Sequence, residues 1–288
     1  MEKHITFKRI AMLIITLKVL LILYFVINIP IHAGKSWDFN IDLNFLFFII
    51  VGFAAQIIDG TLGMAYGVSC TTLLLYMGVP PAVASAGVHT AEVFTTGVSG
   101  LSHLYMKNVD KKLFARLVLP GVIAAMTGAY LISEILDGNF VKPYIAGYLL
   151  IMGLLIVIKS FKPIRFNDSI KYVPFLGSFG GLMDAIGGGG WGPIVTSNLV
   201  NQGKAPKETI GTVNTAEFFV AFFSTGIFLI FVGVESWKIV LGLIIGGVIA
   251  APLGAFFATR IKPKLLMLSV GILIIITSLF TISKSIGI

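Results

Sequence analysis

Charge is scarce in this sequence. Only 12% of its 288 residues are Asp, Glu, Lys or Arg, while 57% are hydrophobic. Water-soluble domains carry nearer 25% charged residues, so an ordinary soluble domain is excluded. Cysteine is scarcer still. Cys70 stands alone, which leaves no intramolecular disulfide and no CxxC metal or redox site. HExxH, GxSxG and a phosphate-binding P-loop are also absent, so no motif supports a membrane-embedded hydrolase, ATP drive within the chain or a bound cofactor. The net charge of +8 does not imply a nucleic-acid partner, because no stretch interleaves basic with aromatic residues. The basic residues instead fall in short connections between apolar runs, as membrane orientation requires.

What is present is a series of apolar segments in an all-α pattern suited to a lipid bilayer, where a full helical crossing takes about 20 residues. A leading helix is expected at 10–29, then five segments near 43–58, 65–77, 80–106, 113–136 and 142–158. Five more follow near 172–187, 191–202, 206–232, 237–259 and 264–283. The leading run is longer than a signal-peptide core and reads as a retained helix. Connections 1–9, 107–116, 159–171, 203–207 and 260–264 are rich in Lys and Arg, and those between them are poor. The positive-inside rule then places the N-terminus in the cytoplasm and the C-terminus outside the plasma membrane. The expected organisation is 1–42 as an N-terminal transmembrane helix with an external loop, 43–158 as a first repeat, 159–171 as a basic cytoplasmic connection, and 172–288 as a second repeat.

The repeat is visible in the residues. Shifting the chain by 125 positions lays residues 52–100 on 177–225 without a gap, and fourteen of the 49 pairs are identical. Asp59 falls on Asp184, Gly63 on Gly188, Gly67 on Gly192, and Thr90-Ala91-Glu92 on Thr215-Ala216-Glu217. Five segments per copy means that the second copy enters the membrane upside down, an inverted repeat of the kind that secondary transporters use for alternating access. The first pair of each copy is short and glycine-joined, which predicts broken or re-entrant helices.

Nine of the thirteen carboxylates lie in connections or at their edges, and the other four are Asp59, Glu92, Asp184 and Glu217. A carboxylate in the apolar layer is costly unless protonated, paired or facing water, so these four are candidate proton-coupling groups. Asp59 and Asp184 could equally cap the helices that follow them. Glu92 and Glu217 could instead fix packing through interhelical bonds. His89 shares a helical face with Glu92, as Asn214 does with Glu217, and His89 is a candidate coupling group because imidazole titrates near neutral pH. The run Gly187-Gly188-Gly189-Gly190-Trp191 leaves unwound backbone before a helix start, which suits an anion. Close helix packing through small residues is the other reading. Gly63 and Tyr66 are its counterparts in the first copy, and Thr90, Asn214 and Thr215 complete the candidate substrate-binding set. Lys18 is the only basic residue well inside an expected span.

The glycine run followed by Pro193, set within a duplicated apolar chain, resembles the sulfite exporter TauE/SafE family, also called the toluene sulfonate uptake permease family. The likeness covers about 43–283. It implies a multispanning permease for small organosulfur anions such as sulfite or sulfonates. The leading expectation is therefore a proton-coupled secondary carrier, not an enzyme, whose partners are a small anionic substrate, protons and the lipid bilayer. The alternative is a proton-coupled cation or transition-metal carrier using His89, Glu92, Asp184 and Glu217, whose imidazole and carboxylates suit such cargo.

Overall fold

The computed structural model describes residues 2–32, 42–62, 64–161, 171–202, 204–233, 237–258 and 263–286. Among these, every regular element is helical: α1 (Glu2–His32), α2 (Leu43–Leu62), α3 (Tyr66–Tyr76), α4 (Pro81–Tyr105), α5 (Lys111–Tyr130), α6 (Gly138–Lys159), α7 (Val173–Gly187), α8 (Ser197–Asn201), α9 (Pro206–Phe231), α10 (Trp237–Ala258) and α11 (Pro263–Ser285). A π-helical turn, Leu131–Ile135, prolongs α5, and a second, Gly192–Thr196, leads into α8. All eleven expected segments are found. Helices over Phe7–Asn28, Lys111–Ile135, Gly138–Lys159, Lys207–Phe231 and Met267–Ser285 are long and apolar enough to cross a membrane.

In the first members of the two pairs, α2 runs to 20 residues, about a full crossing and longer than expected, whereas α7 has 15. α3 has 11 residues, about 16 Å of helix, roughly half of a hydrocarbon core. Gly188 ends α7 at φ 64°, and both its amide and that of Gly189 turn back to the Asp184 carbonyl. That is a left-handed cap, which glycine adopts without steric cost. In the first copy Ala65 occupies the comparable break at φ 89°, a strained position for a residue with a β-carbon.

The halves are interlocked. α2 packs on α10, and its counterpart α7 packs on α5, so each copy's first helix lies against the other copy's fourth. α4 pairs with α9, and α6 with α11. Glycines permit these close crossings. A β-carbon on Gly177 would lie 2.9 Å from the Leu117 carbonyl oxygen, and one on Gly153 3.1 Å from that of Gly271. Small residues at helix interfaces replace the hydrophobic drive that lipid removes.

Polarity is distributed inside out. Leu13, Ile50, Leu119, Ile151, Ile230 and Ile276 are exposed, while His89, Glu92, Asp184, Asn214 and Thr215 are buried. α1 lies against α4, where Lys18 donates to the Phe94 carbonyl at 3.3 Å and rests over the Phe94 ring.

Candidate functional site

The two chain breaks meet. A β-carbon on Gly67 would stand 2.7 Å from the Gly189 Cα, and one on Gly192 would stand 2.9 Å from the Met64 Cα. The same 125-residue shift turns one contact into the other. Sequence duplication therefore reappears as a duplicated contact.

The glycine run is filled on every face. Thr71 donates to the Gly188 carbonyl, and Tyr148 Oη donates to that of Gly189 at 3.0 Å. The Tyr148 ring covers Gly187 and its hydroxyl lies over Gly190. Trp191 is fully buried against Gly121, with Nε1 donating to the Val213 carbonyl at 3.2 Å. Tyr66, its repeat mate, is buried beside Gly247. Gly63 lies outside the described residues.

Each aspartate caps the next helix. Asp184 Oδ1 accepts from the Trp191 amide at 2.8 Å, and the Asp59 carboxylate accepts from the Tyr66 amide. Asp184 is 1% exposed, and its other oxygen lies 3.1 Å from Nε2 of His89, itself fully buried. His89 Nδ1 sits 2.9 Å from the Ser85 carbonyl and 3.3 Å from Ser85 Oγ, which donates to the Ala185 carbonyl. Glu92, one turn along α4, directs Oε1 at Gly67 and leaves its buried Oε2 without a partner. One donor atom each from His89, Glu92 and Asp184 lies within 4.8 Å of the others.

The remaining candidates divide. Glu217 and Asp59 are half-buried. Glu217 interacts electrostatically with Asp59 and Asp184, and Glu92 with all three other carboxylates. Thr90 and Thr215 return their hydroxyls to Ala86 and Gly211 one turn back. Asn214 donates to Ser99 Oγ at 3.0 Å and has an unpartnered Oδ1. Sequence reasoning missed Ser85 and Tyr148. Ser85 was recoverable from its i, i+4 relation to His89. Tyr148 matches no repeat position, and no local signal marks it.

An apolar helical exterior around a buried acidic centre, where two broken helical segments meet, defines a polytopic membrane transporter. The chain belongs to the sulfite exporter TauE/SafE family, whose sequence profile matches residues 48–281. It is 44% identical over 245 residues to "Probable membrane transporter protein YtnM" of Bacillus subtilis (strain 168), covering 82% of this chain and 81% of the relative. No solved structure matches.

Proposed function

We propose that this protein is a secondary active transporter of the plasma membrane that moves a small organosulfur anion, sulfite or a sulfonate, by alternating access coupled to protons. Its N-terminus faces the cytoplasm and its C-terminus the outside, and the second repeat runs inverted to the first. The observation that carries the reading is the contact of His89, from one half, with Asp184, from the other, beside the unpartnered Glu92. An anion cannot approach four carboxylates unless protons neutralise some of them. Proton and anion therefore bind cooperatively, and the coupling is reciprocal. The helix starts at Tyr66 and Trp191 supply positive potential. Asp59 and Asp184 occupy those starts, and the substrate replaces a carboxylate there once it is protonated. The substrate residues of this reading, among those described, are Tyr66, Thr90, Gly187 to Trp191, Asn214 and Thr215.

The test is uptake of sulfite and of an alkyl sulfonate into proteoliposomes under an imposed pH gradient. Accumulation follows the gradient in the native protein and is uncoupled in Glu92→Gln and Glu217→Gln. Unchanged pH dependence in both variants would remove those residues from the coupling path. Thermal stabilisation by a divalent transition metal, with none from sulfite, would shift the cargo to a cation.

A further inference from the structure

We infer that His89 and Asp184 together hold a single proton between Nε2 and Oδ2, and that this shared proton ties the two halves of the transporter together. The inference rests on the proton coupling proposed above and deepens it by assigning the site and the number of protons.

The argument is one of donors and acceptors. His89 Nδ1 lies 2.9 Å from the Ser85 carbonyl, which can only accept, and 3.3 Å from Ser85 Oγ, which gives its proton to the Ala185 carbonyl at 2.6 Å. Nδ1 must therefore carry hydrogen. In a neutral ring Nε2 is then a bare lone pair, 3.1 Å from a carboxylate oxygen that also offers only lone pairs. The other neutral tautomer moves the same conflict to Nδ1. Both ends are satisfied only when one more proton is present, as imidazolium with carboxylate or as imidazole with protonated Asp184. Burial makes the conflict severe, since His89 is 0% and Asp184 1% exposed.

Glu92 on α4, Tyr148 on α6 and Glu217 on α9 interact electrostatically with Asp184, while Asp59 on α2, and Tyr66 and Cys70 on α3, interact with Glu92. Lys18 of α1 is bonded to the Phe94 carbonyl instead, and Lys238 of α10 lies over Trp237. With the proton bound the pair is neutral; without it the pair carries one negative charge. Glu92 is the group placed to receive the departing proton once the contact opens: its Oε2 is unpartnered, and one of its oxygens lies within 4.8 Å of both.

The site exists in one copy only. The repeat mates of His89 and Asp184 are Asn214 and Asp59, and an asparagine amide cannot take the extra proton. Asn214 uses its N–H on Ser99. The shared proton therefore gives one proton per cycle. Because His89 belongs to α4 and Asp184 to α7, its loss sets lone pair against lone pair across the halves and releases that contact.

Nitrogen-15 NMR of histidine-labelled protein in nanodiscs tests this, with His4, His32 and His103 replaced singly by Gln for assignment. Nδ1 of His89 is expected to keep its proton throughout a pH titration, while the Nε2 signal responds to the shared proton. In Asp184→Asn, whose amide N–H donates to Nε2, that nitrogen stays bare under conditions where the native Nε2 shares the proton. With the membrane potential clamped at zero, one pH unit drives about tenfold accumulation in the native protein and none in this variant. A bare Nδ1 with a protonated Nε2 throughout overturns the shared proton, even if uptake follows the gradient. A titrating pair in a native protein whose uptake ignores the gradient upholds the proton site and overturns the coupling instead. The native spectrum decides the proton site if Asp184→Asn fails to fold.

Discussion

Gly67 and Gly189 touch backbone to backbone, and their repeat images, Gly192 and Met64, touch in the same way. A β-carbon on Gly189 would strike the backbone of Val68 and Gly67, neither of which can swing aside as a side chain can. Gly189→Ala is therefore expected to destabilise by about 1–3 kcal/mol or more. Gly147, in α6, has nothing within 4 Å of its would-be β-carbon. Gly147→Ala should be neutral or stabilising by up to about 1 kcal/mol from helix propensity. Melting temperatures in one detergent check both, and equal shifts would contradict the described contact.

Tyr148 is the side chain that closes the glycine run from α6. Tyr148→Phe keeps the ring over Gly187 but leaves the buried Gly189 carbonyl unpaired. The expected loss is about 1–3 kcal/mol. Tyr144, 65% exposed on the same helix, provides the control: Tyr144→Phe should leave the melting temperature unchanged.

Outside the spans, the loop before α5 is held to the second half. Asp110 caps α5 through the Lys112 and Leu113 amides, takes the Lys204 ammonium at 2.7 Å, and gives its own amide to Thr212. Burial pushes the Asp110 carboxyl up, but the bonds from Lys204, Leu113 and Lys112 outweigh it and hold it below the usual range. A depressed carboxyl adds stability at pH above its unfolded value, near 4, and loses it as pH falls through the lower folded value. Lys204→Met should start that loss at higher pH. The pair is partly exposed, so the effect is below about 1 kcal/mol. Melting curves of both proteins between neutral and acid pH measure it, and superimposable profiles would show that the ion pair contributes nothing.

Glu92→Gln removes one of four interacting carboxylates. Relief of like-charge repulsion and charge burial should raise stability by about 1 kcal/mol or more, increasingly as pH rises, while pH-driven uptake is lost. Such a trade of function against stability marks a group retained for what it does. A variant that melts at a lower temperature than the native protein at alkaline pH would show that Glu92 serves packing instead.

Much of the architecture was legible beforehand. Hydropathy and the spacing of Gly and Pro located all eleven segments, because both are local properties of the chain. Asp184 was readable as a cap, since a carboxylate just before a glycine turn has few other uses, and the structure gives it the Trp191 amide. The glycine run suggested an open backbone, yet Thr71 and Tyr148 fill it. The alignment of the copies could not reveal Tyr148, because position 273 holds leucine.

By itself the sequence determined a helical membrane protein with a doubled pattern and four acids too deep to be incidental, since lipid admits little else. Only tertiary structure decided which helices cross between the halves and which lone pairs confront one another. His89 and Asp184 are 95 residues apart. Their meeting depends on α4 packing against α7 and on glycines that let the two chain breaks approach to backbone contact, and neither is a property of any one segment.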